Sequence, residues 1–478
     1  MSTIRKSLSS GIFYTALSKY SGVFITIVIG AVLARLLTPE EFGIVALVTV
    51  FASFFNLLSD FGIGSAVVQN RTLSMEDIQS IFSFSILLGF LLSALFFFTA
   101  PLISNFFNDP RLINVSRLLS LSILFHSLSI IPKAMFRKAL QFKQIGLITV
   151  GVQLFCGVVA IILAYLDFSY YAIIAQSILI GGISLTIFYL IKPIKIVSKI
   201  QFSAIKKIFR FSIFQFLFNF INYFSRNADN LLIGKLLGQA PLGLYDKAYR
   251  LMMMPVQNLT HVITPVLMPV LAGYQHDKNF VYNSYVQVFK LLAIIGFPLS
   301  VLLFFSAGDI ILILYGTQWV DSIPVFKILA LTIGIQIVLS STGAIFQTVN
   351  RTDLLFVSGL LSALLMISGI SYGIFINKNL ESVGYGLIGA FSISFFQTFY
   401  FLFVKALSKS FFVVFKLLKI PIIISAFVLL GMFLLSYVPI NHLFLSLLVK
   451  TIVALIAFTS CVLIIPESRQ LLSKIIKR

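Results

Sequence analysis

Residues 11–36 have the sequence GIFYTALSKYSGVFITIVIGAVLARL, an apolar run longer than the roughly 20 residues that a helix needs to cross a bilayer. Runs of this kind recur along all 478 residues, of which 59% are hydrophobic and 10% are charged. A soluble domain carries about 25% charged residues, so this chain has too little polar surface to cover a water-soluble globule. The composition excludes a soluble enzyme, a secreted disulfide scaffold and a disordered chain, and it indicates a polytopic membrane protein.

The apolar runs predict an all-α integral membrane protein with about 14 transmembrane helices, because each run is continuous and as long as a spanning helix. The predicted spans are 11–36, 42–67, 78–100, 112–131, 145–166, 170–191, 208–234, 241–272, 284–306, 322–348, 353–376, 383–404, 417–438 and 443–465. Short polar or proline-containing breaks separate them, and none is long enough for a soluble domain. Function is therefore expected within or between the helices.

Lys and Arg are distributed unevenly among the loops that join these spans. They cluster between spans 4 and 5, 6 and 7, and 12 and 13, and again after span 14, whereas the intervening loops are poor in cations. Cytoplasmic loops of membrane proteins collect Lys and Arg, so the pattern predicts that both termini are cytoplasmic. The basic loops account for the net charge of +20 and are expected to attract anionic membrane lipids, whereas nucleic acid is not an expected partner.

An internal repeat relates the two halves of the chain. A shift of 200 residues aligns residues 35–37 (RLL) with 235–237 (KLL), and residues 42–44 (FGI) with 242–244 (LGL). Each segment joins the first two helices of a six-helix unit, and because six is even the units would be parallel repeats. The predicted organisation is an N-terminal lobe at 1–200 (helices 1–6), a C-terminal lobe at 201–410 (helices 7–12), and helices 13–14 with a basic cytoplasmic tail at 411–478.

Polar side chains share one face on the first helix of each predicted repeat. The helical spacing groups Thr15, Lys19, Gly22 and Thr26 on span 1, and Asn219, Asn222, Arg226 and Asp229 on span 7. A charge near the bilayer centre costs at least ~2.5–3.5 kcal/mol, so such groups normally face protein or a wet cavity. Two levels of cations result, with Lys19 in the inner half of the membrane and Arg226 and Arg250 higher.

These patterns predict a hydrated, cationic cavity for an anionic, sugar-like cargo. The candidate substrate-binding residues are Lys19, Arg226, Arg250, Asn222, Gln257, Asn258 and Gln336, and the candidate ion-coupling residues are Asp60 and Asp229. Structural alternatives stay open for several of them. Lys19 could form an ion pair with Asp60, Arg226 could pair with Asp229, and Arg250 could extend outward to the membrane interface.

Motifs for catalysis and metal binding are missing from the sequence. It contains no phosphate-binding loop, no H-E-x-x-H and no nucleophile elbow, and its four histidines and two cysteines are far apart. We therefore expect a transporter rather than an enzyme, with no cofactor and no metal.

Residues 33–43 (LARLLTPEEFG) and 60–69 (DFGIGSAVVQ) form a signature that resembles the polysaccharide transporters, the Wzx-type O-antigen and capsule flippases, in particular those like colanic acid exporters. These belong to the MOP exporter superfamily, together with MATE drug exporters and the lipid II flippase. The resemblance implies a V-shaped fold of two six-helix lobes around a central cavity in the bacterial cytoplasmic (inner) membrane. It also implies translocation of undecaprenyl-diphosphate-linked oligosaccharide by alternating access, for assembly of surface polysaccharides such as lipopolysaccharide. Coupling to H⁺, Na⁺ or the membrane potential stays open, and polysaccharide polymerase machinery is a candidate partner.

Two other functions remain as alternatives at this point. A MATE-like cation-coupled multidrug antiporter would share the fold, but cationic cargo requires an acidic cavity, and the charge excess within the spans is cationic. A membrane glycan polymerase or ligase requires a long outer loop, whereas the predicted outer loops are short.

Overall fold

The computed structural model describes residues 2–469 except 71–72, 199, 204, 207–215, 217–219, 221–222 and 224–226. Within this part of the chain, side chains are described for all residues except 2–16, 261–266, 268–270 and 272. The regular elements of these described residues are all helical, so the predicted all-α class is confirmed. The first seven helices are α1 Ser2–Leu36, α2 Pro39–Asp60, α3 Ile63–Gln69, α4 Met75–Phe107, α5 Arg111–Lys138, α6 Phe142–Tyr165 and α7 Tyr171–Ile191. Residues 227–236 are helical as well.

The remaining helices begin with the long α8, Gln239–Ala272. It is followed by α9 Lys278–Phe305, α10 Ala307–Leu314, α11 Ser322–Ala330, α12 Ile333–Leu339, α13 Thr342–Thr348, α14 Thr352–Asn377, α15 Leu380–Phe399, α16 Val413–Leu435 and α17 Leu443–Ile464. α15 continues into a π-helical turn at Tyr400–Ala406.

Eleven helices among the described residues are long and apolar enough to span a membrane, or twelve if the bent pair at 322–330 and 333–348 is one span. The predicted number of 14 is therefore not reproduced. The predicted span 208–234 falls mostly outside the described residues. α8 forms as predicted at 241–272, but its charged and polar residues keep it out of the apolar set.

Two predicted spans are broken helices rather than continuous ones. The span predicted at 42–67 is interrupted where Phe61 and Gly62 adopt left-handed φ angles of 40° and 71°. The span predicted at 322–348 consists of α11, α12 and α13. At its breaks, the hydroxyls of Thr332 and Ser341 donate to the carbonyls of Leu329 and Val338, both at 2.7 Å. Such local bonds compete with the helical ladder and accompany both interruptions, although α5 contains similar bonds at Ser120 and Ser129 without a break.

Two compact units divide the chain, Met1–Gly243 and Leu244–Arg478. The first unit contains an apolar core where α3, α4 and α5 meet, with Val67, Ile81 and Ile131 fully buried. In the second unit, α14 and α15 pack at backbone distance, because a Cβ on Gly369 would lie 2.4 Å from the carbonyl oxygen of Gly386. Small residues allow such close approach between membrane helices.

Within the first unit, the beginnings of α2 and α8 cross in van der Waals contact. A Cβ on Gly43 would lie 1.8 Å from the carbonyl oxygen of Gln239, and a Cβ on Gly243 would lie 1.9 Å from that of Pro39. The 200-residue shift converts one contact into the other, because Gly43 corresponds to Gly243 and Pro39 corresponds to Gln239. A local two-fold axis produces this pattern. This reciprocity supports the repeat at these two helix ends, whereas the lobe boundaries at 200 and 410 stay a prediction.

Candidate functional site

The signature residues at 38–43 organise the beginning of α2. The Thr38 hydroxyl accepts a hydrogen bond from the Glu41 N–H at 3.3 Å, and the Glu41 carboxylate accepts one from the Thr38 N–H at 2.7 Å. This is a capping box, and Pro39 fits the first turn because its missing N–H is not needed there. The second Glu41 oxygen accepts a hydrogen bond from the Ser169 hydroxyl. The sequence signature therefore has an architectural role.

An ion-pair network extends from this cap. Arg111 Nη1 lies 2.8 Å from Glu40, and its Nε and Nη2 hold the Asp109 carboxylate at 2.9–3.2 Å. Gln239 Nε2 donates to the same carboxylate at 3.0 Å, so the network links α2, the α4–α5 turn and the start of α8. Close to it, burial raises the pKa of Tyr170 to about 12.

Lys19 lies on an exposed face of α1. It is 17 residues before the end of the helix at Leu36, or about 26 Å along the axis at 1.5 Å per residue, and its inner level in the membrane stays a prediction. Further along the same predicted face, Gly22 and Thr26 pack against α6, where Gln153 Nε2 donates to the Gly22 carbonyl and the Thr26 hydroxyl. That part of the polar stripe joins two helices.

Asp60 lies at the break between α2 and α3. Its Oδ1 accepts a hydrogen bond from the Gly64 N–H at 3.3 Å, which helps to start α3. The ion pairs of the described residues include none between Asp60 and Lys19, so the structure does not form the bridge considered above.

The candidate residues of span 7 are only partly described. Asn222 and Arg226 lie outside the described residues, as does Asn219. Asp229 is buried, and its Oδ1 accepts a hydrogen bond from the Asn230 N–H at 2.8 Å. The binding and ion-coupling roles of these residues stay predictions.

α8 carries the most concentrated charge of the second unit. Arg250 Nε donates to Asp246 Oδ2 at 2.7 Å across one helical turn. The Arg250 side chain remains 65% exposed. Asp246 was not among the predicted site residues, although its i,i+4 spacing to Arg250 is visible in the sequence.

Lys247 is buried and lies against two aromatic rings. Its Nζ is 5.1 Å from the centroid of the Tyr315 ring and 5.8 Å from the centroid of Trp319. Aromatic faces attract cations, most strongly when water is excluded. Both rings come from the turn after α10, about 70 residues further along the chain, so no spacing pattern in the sequence could reveal this contact.

The charge of α8 is unbalanced along its own length. The helix contains one carboxylate, Asp246, and two basic side chains, Lys247 and Arg250. Arg250 lies 11 residues into the helix, about 16 Å from its start. Asp309 of α10 is engaged elsewhere, because its Oδ2 accepts bonds from Lys450 at 2.6 Å and Ser446 at 3.0 Å.

The amide candidates differ in accessibility. Gln336 is buried, with its Nε2 donating to the Thr332 hydroxyl at 2.8 Å and contacting Met252 Sδ at 3.1 Å. It therefore ties α12 to α8, and its carbonyl oxygen is the polar atom left for a ligand. Gln257 is exposed and Asn258 is half-buried.

Among the described residues, no group of three or more His, Cys, Asp or Glu side chains could hold a metal ion.

Comparison with solved structures identifies the fold. The lipid II flippase MurJ in its inward closed conformation matches 94% of this chain and 97% of its own, with a TM-score of 0.72 and 14% identity. An inward-facing MATE family multidrug resistance transporter of the MOP superfamily matches 81% of this chain and 95% of its own, with a TM-score of 0.61 and 14% identity. The chain therefore has the fold of these two proteins, as predicted.

Sequence comparison identifies the family. The teichuronic acid biosynthesis protein TuaB of Bacillus subtilis (strain 168) is 24% identical over 374 residues, 78% of this chain and 77% of that protein. The lipopolysaccharide biosynthesis protein WzxC of Escherichia coli (strain K12) is 26% identical over 381 residues, 74% of each chain. The family described as "Polysaccharide biosynthesis protein" matches residues 32–324, more than half of the chain. The chain is therefore a multi-pass membrane protein that belongs to this polysaccharide biosynthesis family.

Proposed function

We propose that this protein is a flippase that moves undecaprenyl-diphosphate-linked oligosaccharide across the bacterial cytoplasmic membrane by alternating access. Its relatives are named for the biosynthesis of teichuronic acid and lipopolysaccharide, and its fold is shared with a lipid II flippase. The cargo would be used to assemble surface polysaccharide, next to polymerase machinery. Both termini would be cytoplasmic, because the basic loops then lie on the inner side.

The observation that carries this proposal is the cationic stretch of α8, in which Arg250 pairs with Asp246. A diphosphate cannot enter hydrocarbon without compensating charge. Arg250 offers an exposed guanidinium, which Asp246 holds in place at 2.7 Å, and guanidinium groups pair well with phosphate oxygens. Lys247, which lies against the Tyr315 and Trp319 rings, belongs to the same stretch. A cationic drug would meet repulsion at the same place, so the charge favours a phosphorylated lipid over the cargo of a multidrug antiporter.

The other candidates take supporting roles in the proposal. Lys19, at the inner level of α1, would receive the diphosphate on the cytoplasmic side, and Arg226 would act with Arg250 at the higher level. Asn222, Gln257, Asn258 and the free carbonyl of Gln336 would bond sugar hydroxyls. Asp60 and Asp229 would couple transport to H⁺ or Na⁺, because a carboxylate can bind either ion.

The test is glycan export in a bacterial strain whose own flippase of this family has been deleted. We expect the wild-type chain to restore surface glycan, and we expect Arg250→Ala and Lys19→Ala to reduce it at least ten-fold, because hydrogen bonds to charged groups contribute about 1.5–3 kcal/mol each. Arg250→Lys should restore part of the export. Arg351→Ala is the matched control, because Arg351 immediately precedes α14 and pairs with Asp353 in its first turn.

Membrane levels of every variant should be measured by immunoblot. Normal export by Arg250→Ala and Lys19→Ala at wild-type levels would refute the assigned roles. Failure of the wild-type chain to restore any glycan, combined with export of cationic dyes, would refute the proposed cargo.

A further inference from the structure

A second feature of the first unit is an apolar cleft of about 460 Å³ between α2, α4 and the helical residues near Leu231. Phe51, Phe54 and Phe55 of α2 form one wall, and Leu102 and Phe106 of α4 form the other. The two hydroxyl groups in the lining are already engaged. Thr99 donates to the carbonyl of Phe96 at 2.9 Å, and Tyr223 donates to that of Val50. The cleft is therefore suited to hydrocarbon.

The cleft extends along α4 and α2 from the ends of these helices that lie near each other. Thr99 lies eight residues before the end of α4 at Phe107, about 12 Å along the axis, and Phe55 lies about 24 Å from the start of α2. Leu102 is 68% exposed and Phe106 is 52% exposed, so the side of α4 that borders the cleft is open rather than packed within the unit.

The cleft, about 460 Å³ in volume, is lined by apolar side chains and can take up part of a hydrocarbon chain. An unfilled cleft would forfeit the dispersion contacts that its lining atoms could make, so an acyl chain is stabilised there.

A cation lies where the headgroup of such a lipid would be. Lys235, one residue before the end of its helix, donates to the carbonyl of Phe106, and its Nζ lies 4.7 Å from the centroid of the Phe106 ring. The side chain is exposed, and the ion pairs of the described residues do not include it. An ammonium group has three N–H donors, so two remain for a phosphate.

We propose that this cleft binds one acyl chain of an anionic phospholipid and that Lys235 holds the phosphate of its headgroup. Under the proposed topology the lipid belongs to the outer leaflet. The apolar wall accepts hydrocarbon, and the lysine selects negative charge, since basic residues at the membrane surface attract anionic lipids. This site is separate from the charged stretch of α8 and does not depend on which cargo is transported.

The test is native mass spectrometry of the purified full chain, titrated with phosphatidylglycerol or with phosphatidylcholine of the same acyl chains. We expect one phosphatidylglycerol to be retained in preference to phosphatidylcholine. Thr99→Phe, which fills the cleft, should abolish this retention. Thr459→Phe is its matched control, because Thr459 also donates to its own helix, at the Leu455 carbonyl, and lies exposed on α17.

Lys235→Gln tests the headgroup contact separately. It should weaken phosphatidylglycerol retention about five-fold and leave phosphatidylcholine unchanged, as expected for one basic residue beside an anionic lipid. Lys378→Gln, at an exposed lysine after α14, is the control and should have no effect. Equal retention by wild type and Thr99→Phe, or no headgroup preference in the wild type, would overturn the proposal. Displacement of phosphatidylglycerol by undecaprenyl phosphate would assign the cleft to the carrier lipid instead and would overturn it as well.

Discussion

α2 and α8 occupy corresponding places in the 200-residue repeat, but their interiors differ in charge. Both begin with the same reciprocal backbone crossing, at Gly43 and Gly243. Further along, the three charged positions of α8 correspond to apolar positions of α2. These pairs are Asp246 with Ala46, Lys247 with Leu47, and Arg250 with Val50.

The difference shows how one helix geometry supports two chemistries. On α2, Leu47 is fully buried and Val50 lines the apolar cleft, so this stretch meets hydrocarbon and packed side chains. On α8, Arg250 pairs with Asp246 and presents an exposed guanidinium. A lipid-linked glycan has a hydrocarbon part and a charged part, so a transporter for it benefits when matching helices differ in this way. The shared crossing supplies architecture, and the positions beyond it supply specificity.

The largest effect is expected where the two helices are alike. Gly43→Ala and Gly243→Ala would each place a Cβ less than 2 Å from a backbone carbonyl oxygen. Backbone cannot move aside as a side-chain end can, so each substitution should lower the free energy of unfolding by roughly 3 kcal/mol or more. Thermal unfolding of the purified protein measures this effect.

The control for the crossing is Gly359→Ala, in the middle of α14, where an added Cβ meets open space. It should be neutral or slightly stabilising, because alanine favours the helix by up to about 1 kcal/mol over glycine. If either crossing variant is as stable as Gly359→Ala, the shared architecture of α2 and α8 is refuted.

A smaller effect is expected where the two helices differ. Asp246→Asn removes the carboxylate that pairs with Arg250, so the basic side chains of α8 lose the negative charge beside them. Breaking a buried pair costs about 3–5 kcal/mol, but the Arg250 side chain is 65% exposed, so we expect about 1–3 kcal/mol in unfolding free energy. Asp353→Asn breaks an exposed pair with Arg351 and should cost about 0–1 kcal/mol. Similar losses of unfolding free energy in both variants would show that the α8 pair contributes no more to stability than the exposed pair does.

The smallest effect concerns how each helix begins. α2 has a capping box at Thr38, whereas α8 follows Gly238, whose φ is 99°. Thr38→Ala should cost about 1 kcal/mol in unfolding free energy, the usual worth of such a cap, and Thr38→Ser should leave stability unchanged because it keeps the hydroxyl. A loss in the serine variant as large as in the alanine variant would indicate that packing of the methyl group, rather than the cap, is what matters.

Much of the fold could be predicted from the sequence, because a membrane helix needs a continuous apolar run. The run at 170–191 became α7 at Tyr171–Ile191, and the run at 443–465 became α17 at Leu443–Ile464. The breaks within 42–67 and 322–348 were missed. A short run of hydroxyl residues and a non-glycine residue at positive φ, Phe61, leave little trace in an average over twenty positions.

The candidate site was less predictable than the fold. Helical spacing identified Arg250 and could have identified Asp246, because both lie on one helix. The contacts of Lys247 with Tyr315 and Trp319, and of Gln336 with Met252, join distant segments. Such contacts depend on how helices pack, and helix periodicity contains no information about them.

The central claim is that the charged stretch of α8 binds the diphosphate of the cargo. The most direct measurement is the affinity of the purified protein for farnesyl diphosphate, determined by isothermal titration calorimetry at low and high salt. We expect binding that weakens with salt. The affinity should fall at least ten-fold in Arg250→Gln, since hydrogen bonds to charged groups contribute about 1.5–3 kcal/mol. In Arg351→Gln the affinity should change less than two-fold. Undiminished affinity in Arg250→Gln would contradict it.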